Sequence, residues 1–225
     1  MTPCELYNEA NAAYERGDYA QAIELYEQAV RTTQNSCLYY NLGNAYFKSG
    51  QIGKALLNYQ RARFLKPRDR DINANIQFLR NYRIDKMLTI ENPIIKIIAN
   101  FFHFLSFQET LFLSALSFFV MMVLIALAII FYQRVLAYIA IVGAVIFLYS
   151  FISWQIWQGE RSPTRAVIIV PEVTLHSGPG QEYKDIYIAH DGLEVKVLES
   201  RGDYSLVQFP GGGGWLETKA IESIF

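Results

Sequence analysis

The sequence predicts a multidomain membrane protein built from all-α helical hairpins, a two-helix transmembrane hairpin and a small all-β barrel. Three observations predict this order: a helical pattern repeats within residues 1–84, two uncharged apolar runs occupy residues 110–159, and period-two alternation begins near residue 166. Of the 225 residues, 52% are hydrophobic, and this excess is concentrated in the middle of the chain. The composition therefore combines soluble ends with a membrane centre.

One segment of the amino-terminal part occurs twice. Residues 17–30 align with residues 50–63, and Asn8-x-x-Asn11-Ala12 aligns with Asn41-x-x-Asn44-Ala45. The second copy resembles the tetratricopeptide repeat, and its matching positions are Leu42, Gly43, Tyr46, Gly50, Ala55, Tyr59, Ala62 and Pro67. The resemblance implies two stacked helical hairpins, in which small residues allow close helix packing and Gly17 and Gly50 end the first helices.

Two repeats fall short of the roughly three that an independent solenoid usually needs. Residues 70–84 carry apolar side chains at helical spacing, follow Pro67, and have Asp69 or Asp71 as an amino-terminal cap. We expect this fifth helix to close the open end of the array. The predicted tetratricopeptide domain, two repeats plus a capping helix, covers residues 1–84.

In this fold the first helix of each hairpin lines the concave face, which predicts a peptide-binding groove. Asparagines recur there, and an amide offers both a donor and an acceptor to the backbone of an extended peptide. The alternative is that these amides belong to the repeat consensus and are merely solvated. Repeats that hold a terminal carboxylate carry a lysine where this chain has tyrosine, which argues against a carboxylate clamp. The predicted peptide-binding residues are Tyr7, Asn8, Asn11, Tyr40, Asn41, Asn44, Phe47, Lys48, Asn75 and Phe78.

The two cysteines, Cys4 and Cys37, occupy the same position in neighbouring repeats. Equivalent positions on stacked helices are about 8–10 Å apart, which exceeds the limit of about 7 Å between Cα atoms for a disulfide. The sequence therefore predicts two free, partly buried thiols.

The central region holds two candidate membrane spans, about residues 110–133 and 135–157, separated by Arg134. Each exceeds the ~20 apolar residues that a helix needs to cross the hydrocarbon layer. The alternative, a buried hairpin in a soluble core, needs a larger core than this chain offers. The tight turn predicts an antiparallel hairpin with both soluble ends on one side. Neither span contains a charged residue, so anchoring is favoured over transport.

Residues 85–109 are predicted to be a linker and an interfacial helix. Residues 93–107 (PIIKIIANFFHFLSF) are apolar but too short for a third span, and indicate a helix lying in the headgroup layer. His103 within this segment is expected to be an interfacial residue and not a ligand.

Six short strands separated by turn residues are predicted after residue 165, as in a small barrel. The segment LHSGPGQEY (175–183), with Gly192, Val195, Val197 and Gly214-Trp215, is similar to the bacterial SH3-like domain. That resemblance, over residues 166–225, implies binding of cell-wall peptides or proteins. His176 and Tyr204 depart from the family pattern.

Nearly the whole chain resembles the BatE-type proteins of Bat aerotolerance operons. The segments that carry this resemblance most strongly are LYYNLGNAYFKSGQIGKALLNYQRA, PRDRDINANIQFLR and VPEVTLHSGPG. The resemblance implies a non-enzymatic scaffold in the bacterial inner membrane, working beside von Willebrand A-domain membrane proteins and a MoxR-type ATPase. A cell-wall sensor that binds peptidoglycan through the SH3-like domain is the alternative function. The family usually has exported soluble domains, which favours the periplasmic side. The positive-inside rule favours the cytoplasmic side for the soluble ends. Three basic residues near the spans, Lys96, Arg161 and Arg165, lie on that side, whereas the turn between the spans carries only Arg134.

Several function classes are disfavoured by composition. A net charge of -1 provides no basic face for nucleic acid. Cysteines and histidines show no metal-ligand spacing, so no metal or cofactor is expected. The histidines His103, His176 and His190 lie in separate segments without a catalytic motif, which predicts that the chain is not an enzyme.

Overall fold

The computed structural model describes residues 2–85, 93–161 and 164–224. They form two compact units. One unit combines Met1–Ile90 with Arg161–Phe225, and the other is Glu91–Glu160. The two segments that flank residues 91–160, which the sequence separates by about 70 residues, therefore fold as one body. Periodicity along the chain did not predict this union.

The repeats form two helical hairpins, as predicted. Their first helices end alike: Gly17 and Gly50 have φ angles of +81° and +82°. The N–H groups of Asp18 and Gln51 then bond to the carbonyls of Ala13 and Tyr46, which closes the helix end. The helices of this unit are α1 (Pro3–Glu15), α2 (Tyr19–Thr32), α3 (Ser36–Lys48), α4 (Ile52–Leu65) and α5 (Arg70–Tyr82).

A fifth helix, α5, occupies the segment predicted to cap the repeats. Its N-cap is Asp69, whose side chain accepts hydrogen bonds from the N–H groups of Asp71 and Ile72. Ile72, Ile76 and Leu79 are buried against the repeats. The helix ends at Tyr82, two residues before the predicted end.

The carboxy-terminal segment is a single antiparallel sheet of seven strands. Strands follow the order β3-β2-β6-β5-β4-β1-β7, so β3 and β7 form its ends and, among the described residues, do not pair with each other. Closure into an SH3-like barrel is therefore not confirmed. The strands are β1 (Arg165–Ile168), β2 (Glu172–His176), β3 (Asp185–His190), β4 (Glu194–Arg201), β5 (Tyr204–Phe209), β6 (Gly212–Glu217) and β7 (Ile221–Ser223).

The sheet packs directly on α4 and α5, and we call this contact the seam. Val167 and Ile224 are buried in the same apolar cluster as Leu56 and Leu57 of α4. At Gly53, an added Cβ would lie 2.1 Å from the carbonyl oxygen of Ile168. Only glycine allows α4 and β1 to approach this closely. The seam residues are Gly53, Leu56, Leu57, Gln60, Arg61, Arg80, Arg83 and Asp85 of the helical part, and Val167, Ile168, Tyr187, His190, Asp191, Gly192, Glu194, Glu222, Ser223 and Ile224 of the sheet part.

One seam contact completes the start of α4. Its N-cap residue, Gln51, makes no side-chain capping bond. The carboxylate of Asp191, from the turn before β4, instead accepts a 2.8 Å hydrogen bond from the N–H of Gly53. A carboxylate at this place satisfies an unpaired N–H and interacts favourably with the helix dipole. The sheet thus supplies a cap that the local sequence lacks.

A second seam contact centres on Glu194. Arg80 binds its carboxylate through two nitrogens at 2.8 and 2.9 Å, and Arg83 and Gln60 reach the same group. Burial alone would raise the pKa of Glu194, but the hydrogen bond and charge of Arg80, with Arg83 and Gln60, outweigh it and lower the pKa. The carboxylate is therefore stabilised in its ionised form.

Two further polar contacts extend the seam. Asp85, almost fully buried, accepts hydrogen bonds from the hydroxyl of Tyr187 at 3.0 Å and the N–H of His190 at 2.7 Å. On α4, the guanidinium of Arg61 donates to the carbonyls of Ser223 and Ile224 and pairs with Glu222 at 3.1 Å. The seam is thus a specific interface with directed polar contacts at several points.

The second unit contains two long apolar helices preceded by a short one. They are α6 (Pro93–Phe102), α7 (Phe107–Phe131) and α8 (Arg134–Glu160). Tyr132 at φ 52° makes the tight turn between α7 and α8, as the sequence predicts. The segment 93–107 is not one helix, because α6 stops at Phe102 and Ser106 caps a new helix.

Replacing Glu194 by glutamine should weaken the seam. Loss of the charge removes its pairing with Arg80 and Arg83, and we expect the free energy of local opening to fall by about 2 kcal/mol at neutral pH. Because the folded pKa is lowered, this stabilisation is present above the unfolded pKa, near 4.5, and is lost as the pH falls through the folded value. Amide hydrogen exchange of α4 and β4 in the full chain measures both effects.

Glu199→Gln is the matched control, since Glu199 pairs with Arg201 on the exposed surface. It should change the opening free energy by less than about 0.5 kcal/mol. Equal effects of the two substitutions would contradict the role assigned to Glu194.

Candidate peptide-binding site

The asparagines of the first helices do not act singly but form pairs across neighbouring repeats. In the first pair, Nδ2 of Asn41 donates to Oδ1 of Asn11 at 3.2 Å and to the hydroxyl of Tyr7 at 3.1 Å. The hydroxyl of Tyr26 donates to the same Oδ1 of Asn11 at 2.5 Å. Both amides are therefore held in one orientation by their neighbours.

The second pair repeats this arrangement one repeat later. Nδ2 of Asn75 donates to the hydroxyl of Tyr40 at 3.2 Å and lies 3.5 Å from Oδ1 of Asn44. The hydroxyl of Tyr59 donates to Oδ1 of Asn44 at 2.6 Å. Asn44 thus makes the same kind of hydrogen bonds as Asn11, and Asn75 the same kind as Asn41, so asparagines at equivalent repeat positions play equivalent roles.

These bonds decide which amide atoms remain for a ligand. The amide oxygens of Asn11 and Asn44 accept hydrogen bonds from within the protein, so the NH2 group of each remains available as a donor. The NH2 groups of Asn41 and Asn75 donate hydrogen bonds within the protein, so the amide oxygen of each remains available as an acceptor. In the described residues these remaining groups have no hydrogen-bond partner. Each pair therefore offers one donor beside one acceptor, which is the complement of a peptide group.

The first pair lines a cleft of about 340 Å³. Tyr14 and Tyr26 form its apolar walls, and the exposed Glu15 gives it negative character. The lining residues are Asn11, Tyr14, Glu15, Tyr26, Asn41 and Asn44. Among the described residues, this lining is polar or acidic and aromatic and includes no basic side chain, which suits a backbone or a cationic group better than a carboxylate.

An aromatic cluster lies on α3 and α5. Phe47 packs edge-on against Phe78 and Tyr82, with ring centroids 5.6 and 6.0 Å apart, and Phe78 stacks on Tyr82 at 5.7 Å. Phe78 is 51% exposed and Tyr82 60% exposed. Large exposed aromatic groups of this kind are typical of protein-binding surfaces.

Not every predicted site residue joins these pairs. Asn8 is exposed, and its amide nitrogen lies 4.0 Å from the sulfur of Cys4. Lys48 is exposed at the end of α3. Tyr26 and Tyr59, absent from the predicted site, orient the amides. Their recurrence at one repeat position was the sequence signal that could have indicated this.

Burial affects the acidity of the orienting tyrosines. Burial, together with the nearby Tyr7, raises the pKa of Tyr26 to about 12. Burial also raises the pKa of Tyr59. Both hydroxyls therefore stay protonated at neutral pH and remain hydrogen-bond donors to Asn11 and Asn44.

The thiols of Cys4 and Cys37 are free but exposed, so the prediction of partial burial is wrong. Both lie in the first turn of their helices, and they line one apolar cleft with Tyr7 and Leu38.

Comparison with known proteins supports the helical assignment. A profile of the TPR repeat matches residues 10–50, and a profile of the tetratricopeptide repeat matches residues 36–69. Residues 10–69 are thus tetratricopeptide repeats, an architecture that serves as a protein-interaction scaffold. No curated protein matches the chain.

Solved structures also match, 36 chains in all. One is the Sgt2 TPR domain from Aspergillus fumigatus, with 31% sequence identity and a TM-score of 0.34. The match covers 35% of this chain and 53% of that chain. It therefore spans about half the length of that domain and about a third of the protein described here.

Replacing Tyr59 by phenylalanine should loosen the second amide pair. The variant keeps the ring but removes the 2.6 Å hydrogen bond to Asn44, so we expect a loss of about 1 kcal/mol in the opening free energy of α3 and α4. Amide hydrogen exchange checks this. Tyr82→Phe, which removes an exposed hydroxyl from a neighbouring helix, is the control and should have little effect; an equal loss there would refute the assigned role.

Proposed function

We propose that this chain is a membrane-anchored protein-interaction scaffold whose tetratricopeptide groove binds the backbone of an extended peptide. The observation that supports this proposal is the two pairs of oriented amides, since each pair offers one donor beside one acceptor. An extended peptide presents its carbonyls and N–H groups in alternation. The exposed cluster of Phe47, Phe78 and Tyr82 adds a place for an apolar side chain.

Membrane anchoring is supported by α7 and α8. They have 25 and 27 residues and mean hydropathies of 2.8 and 2.5, enough to cross a bilayer by length and composition. Only 11% of each apolar window is buried inside the protein, whereas the core helix of a soluble protein is mostly buried. A bilayer would cover the remaining apolar surface.

The folded seam adds a topological argument. The segments before and after the second unit form one body, so both lie in the same compartment. An inserted hairpin with two spans returns the chain to the side from which it left. Two membrane crossings therefore fit the union of the soluble segments, and one or three would not.

The particular setting follows from the resemblance to BatE-type proteins. We assign the chain to an inner-membrane complex with von Willebrand A-domain proteins and a MoxR-type ATPase, with the soluble unit on the periplasmic side. Tyr7 and Tyr40 stand where repeats that hold a terminal carboxylate carry a lysine, which favours an internal segment of the partner as the ligand.

Binding can be tested at Asn44 without removing its internal contact. Asn44→Asp keeps the oxygen that accepts from Tyr59 but replaces the free NH2 donor with an acceptor. The partner is first identified by photo-cross-linking from position 14 in native membranes. We expect Asn44→Asp to weaken its binding to the full chain about tenfold, equivalent to ~1.4 kcal/mol.

Gln28→Ala on the exposed surface of α2 is the control for this experiment and should leave the affinity unchanged. Unaltered binding by Asn44→Asp, with the fold intact by circular dichroism, would reject the groove as the binding surface.

Sidedness can be tested with the native thiols. Cys4 and Cys37 are exposed, so a membrane-impermeant maleimide added to spheroplasts should label them if the soluble unit is periplasmic. A Cys4→Ser, Cys37→Ser variant gives the background. Labelling only after detergent permeabilisation would place the soluble unit in the cytoplasm.

A further inference from the structure

Three side chains on one face of α8 bind the end of α6 and the turn after it. The hydroxyl of Tyr149 donates to the carbonyl of Phe101 at 2.8 Å, and the hydroxyl of Ser153 donates to the carbonyl of Phe102. The indole N–H of Trp157 donates to the carbonyl of Leu105 at 2.8 Å. Successive donors are four residues apart, so they lie above one another on the same side of α8.

These bonds satisfy backbone groups that a helix end normally leaves to water. The last four carbonyls of a helix have no partner within it. Here Ala99 accepts from the backbone N–H of His103 at 2.9 Å, and Phe101 and Phe102 accept from α8. A helix end in contact with water needs no such arrangement, whereas a helix end in hydrocarbon does.

The position of these contacts along α8 indicates how deep they lie. Tyr149 precedes the charged Glu160 by three turns, roughly 16 Å. A tyrosine side chain on a helix also leads back towards the amino terminus, away from Glu160. Since half of the hydrocarbon layer is about 15 Å thick, the carbonyl of Phe101 lies well below the level of Glu160.

The outer side of the α6 end is apolar and exposed. Ile97 is 68% exposed, Ile98 51%, Phe101 59% and Phe104 58%. After Lys96 the helix carries no charge. The other side of the segment packs on α8, where Phe101 and Phe102 contact the ring of Tyr149 at 4.9 and 5.7 Å.

We infer that the end of α6 enters the hydrocarbon layer as a re-entrant segment, with the exposed apolar side chains of Ile97, Ile98, Phe101 and Phe104 against lipid acyl chains. The turn that follows returns to the level of the charged groups, since His103 lies 3.1 Å from the carboxylate of Glu160. This inference rests on the membrane anchoring proposed above. It differs from the expectation of a helix in the headgroup layer. The reason is that α8 supplies the hydrogen bonds that the broken backbone needs at that depth.

Spin-label accessibility in the full chain tests the depth directly. In a Cys4→Ser, Cys37→Ser background, single labels are placed at Ile98 and Phe104, with Ile146 in α8 as the membrane reference and Phe78 as the water reference. The protein is reconstituted in phosphatidylcholine vesicles. We expect collisions with a polar nickel chelate at Ile98 and Phe104 to be at least fivefold rarer than at Phe78, as at Ile146.

The outcomes separate the two proposals. Chelate access at Ile98 and Phe104 equal to that at Phe78, with Ile146 protected, would overturn the re-entrant segment and leave the anchor intact. Chelate access at Ile146 as well would overturn the membrane anchor itself.

A substitution provides a second test. Tyr149→Phe leaves the carbonyl of Phe101 without its donor, so in hydrocarbon the α6 end should move outward and chelate collisions at Ile98 should rise at least twofold. At a wet interface, water would replace the lost bond and the collisions would not change. Tyr138→Phe, an exposed tyrosine on the same helix, is the matched control and should have no effect.

Discussion

The contact between Glu194 and the paired arginines Arg80 and Arg83 joins two distant segments of the chain into one folded body. A charge in this position is favourable only when it is well paired, since an unpaired buried carboxylate would be costly. The capping of α4 by Asp191 and the close approach at Gly53 depend on the same alignment. The amide pairs lie on helices that this body holds in place.

The two-repeat array illustrates why such a contact is needed. A repeat array exposes apolar surface at each end, and two repeats bury less than a stable solenoid usually requires. Here α5 covers one surface and the sheet covers another, with Val167 and Ile224 entering the helical core. The carboxy-terminal sheet therefore contributes to the stability of the tetratricopeptide helices.

Rigid support also explains the character of the groove. Tyrosines from the second helices and from the preceding repeat fix the amides, and burial keeps those hydroxyls protonated. In the proposed binding of a peptide, the donors and acceptors would already be oriented, which reduces the entropy lost on binding. The same principle recurs in the second unit, where side chains of α8 satisfy the end of α6.

The sequence by itself determined the local elements: repeated glycines marked helix ends, Asp69 marked a cap, and uncharged runs marked α7 and α8. These follow from short-range backbone and hydropathy rules that act within a few residues. The tertiary structure alone decided the seam, the open sheet and the pairing of the asparagines, because each joins residues far apart in the chain. No local pattern specifies that Glu194 meets Arg80 or that Asn41 meets Asn11.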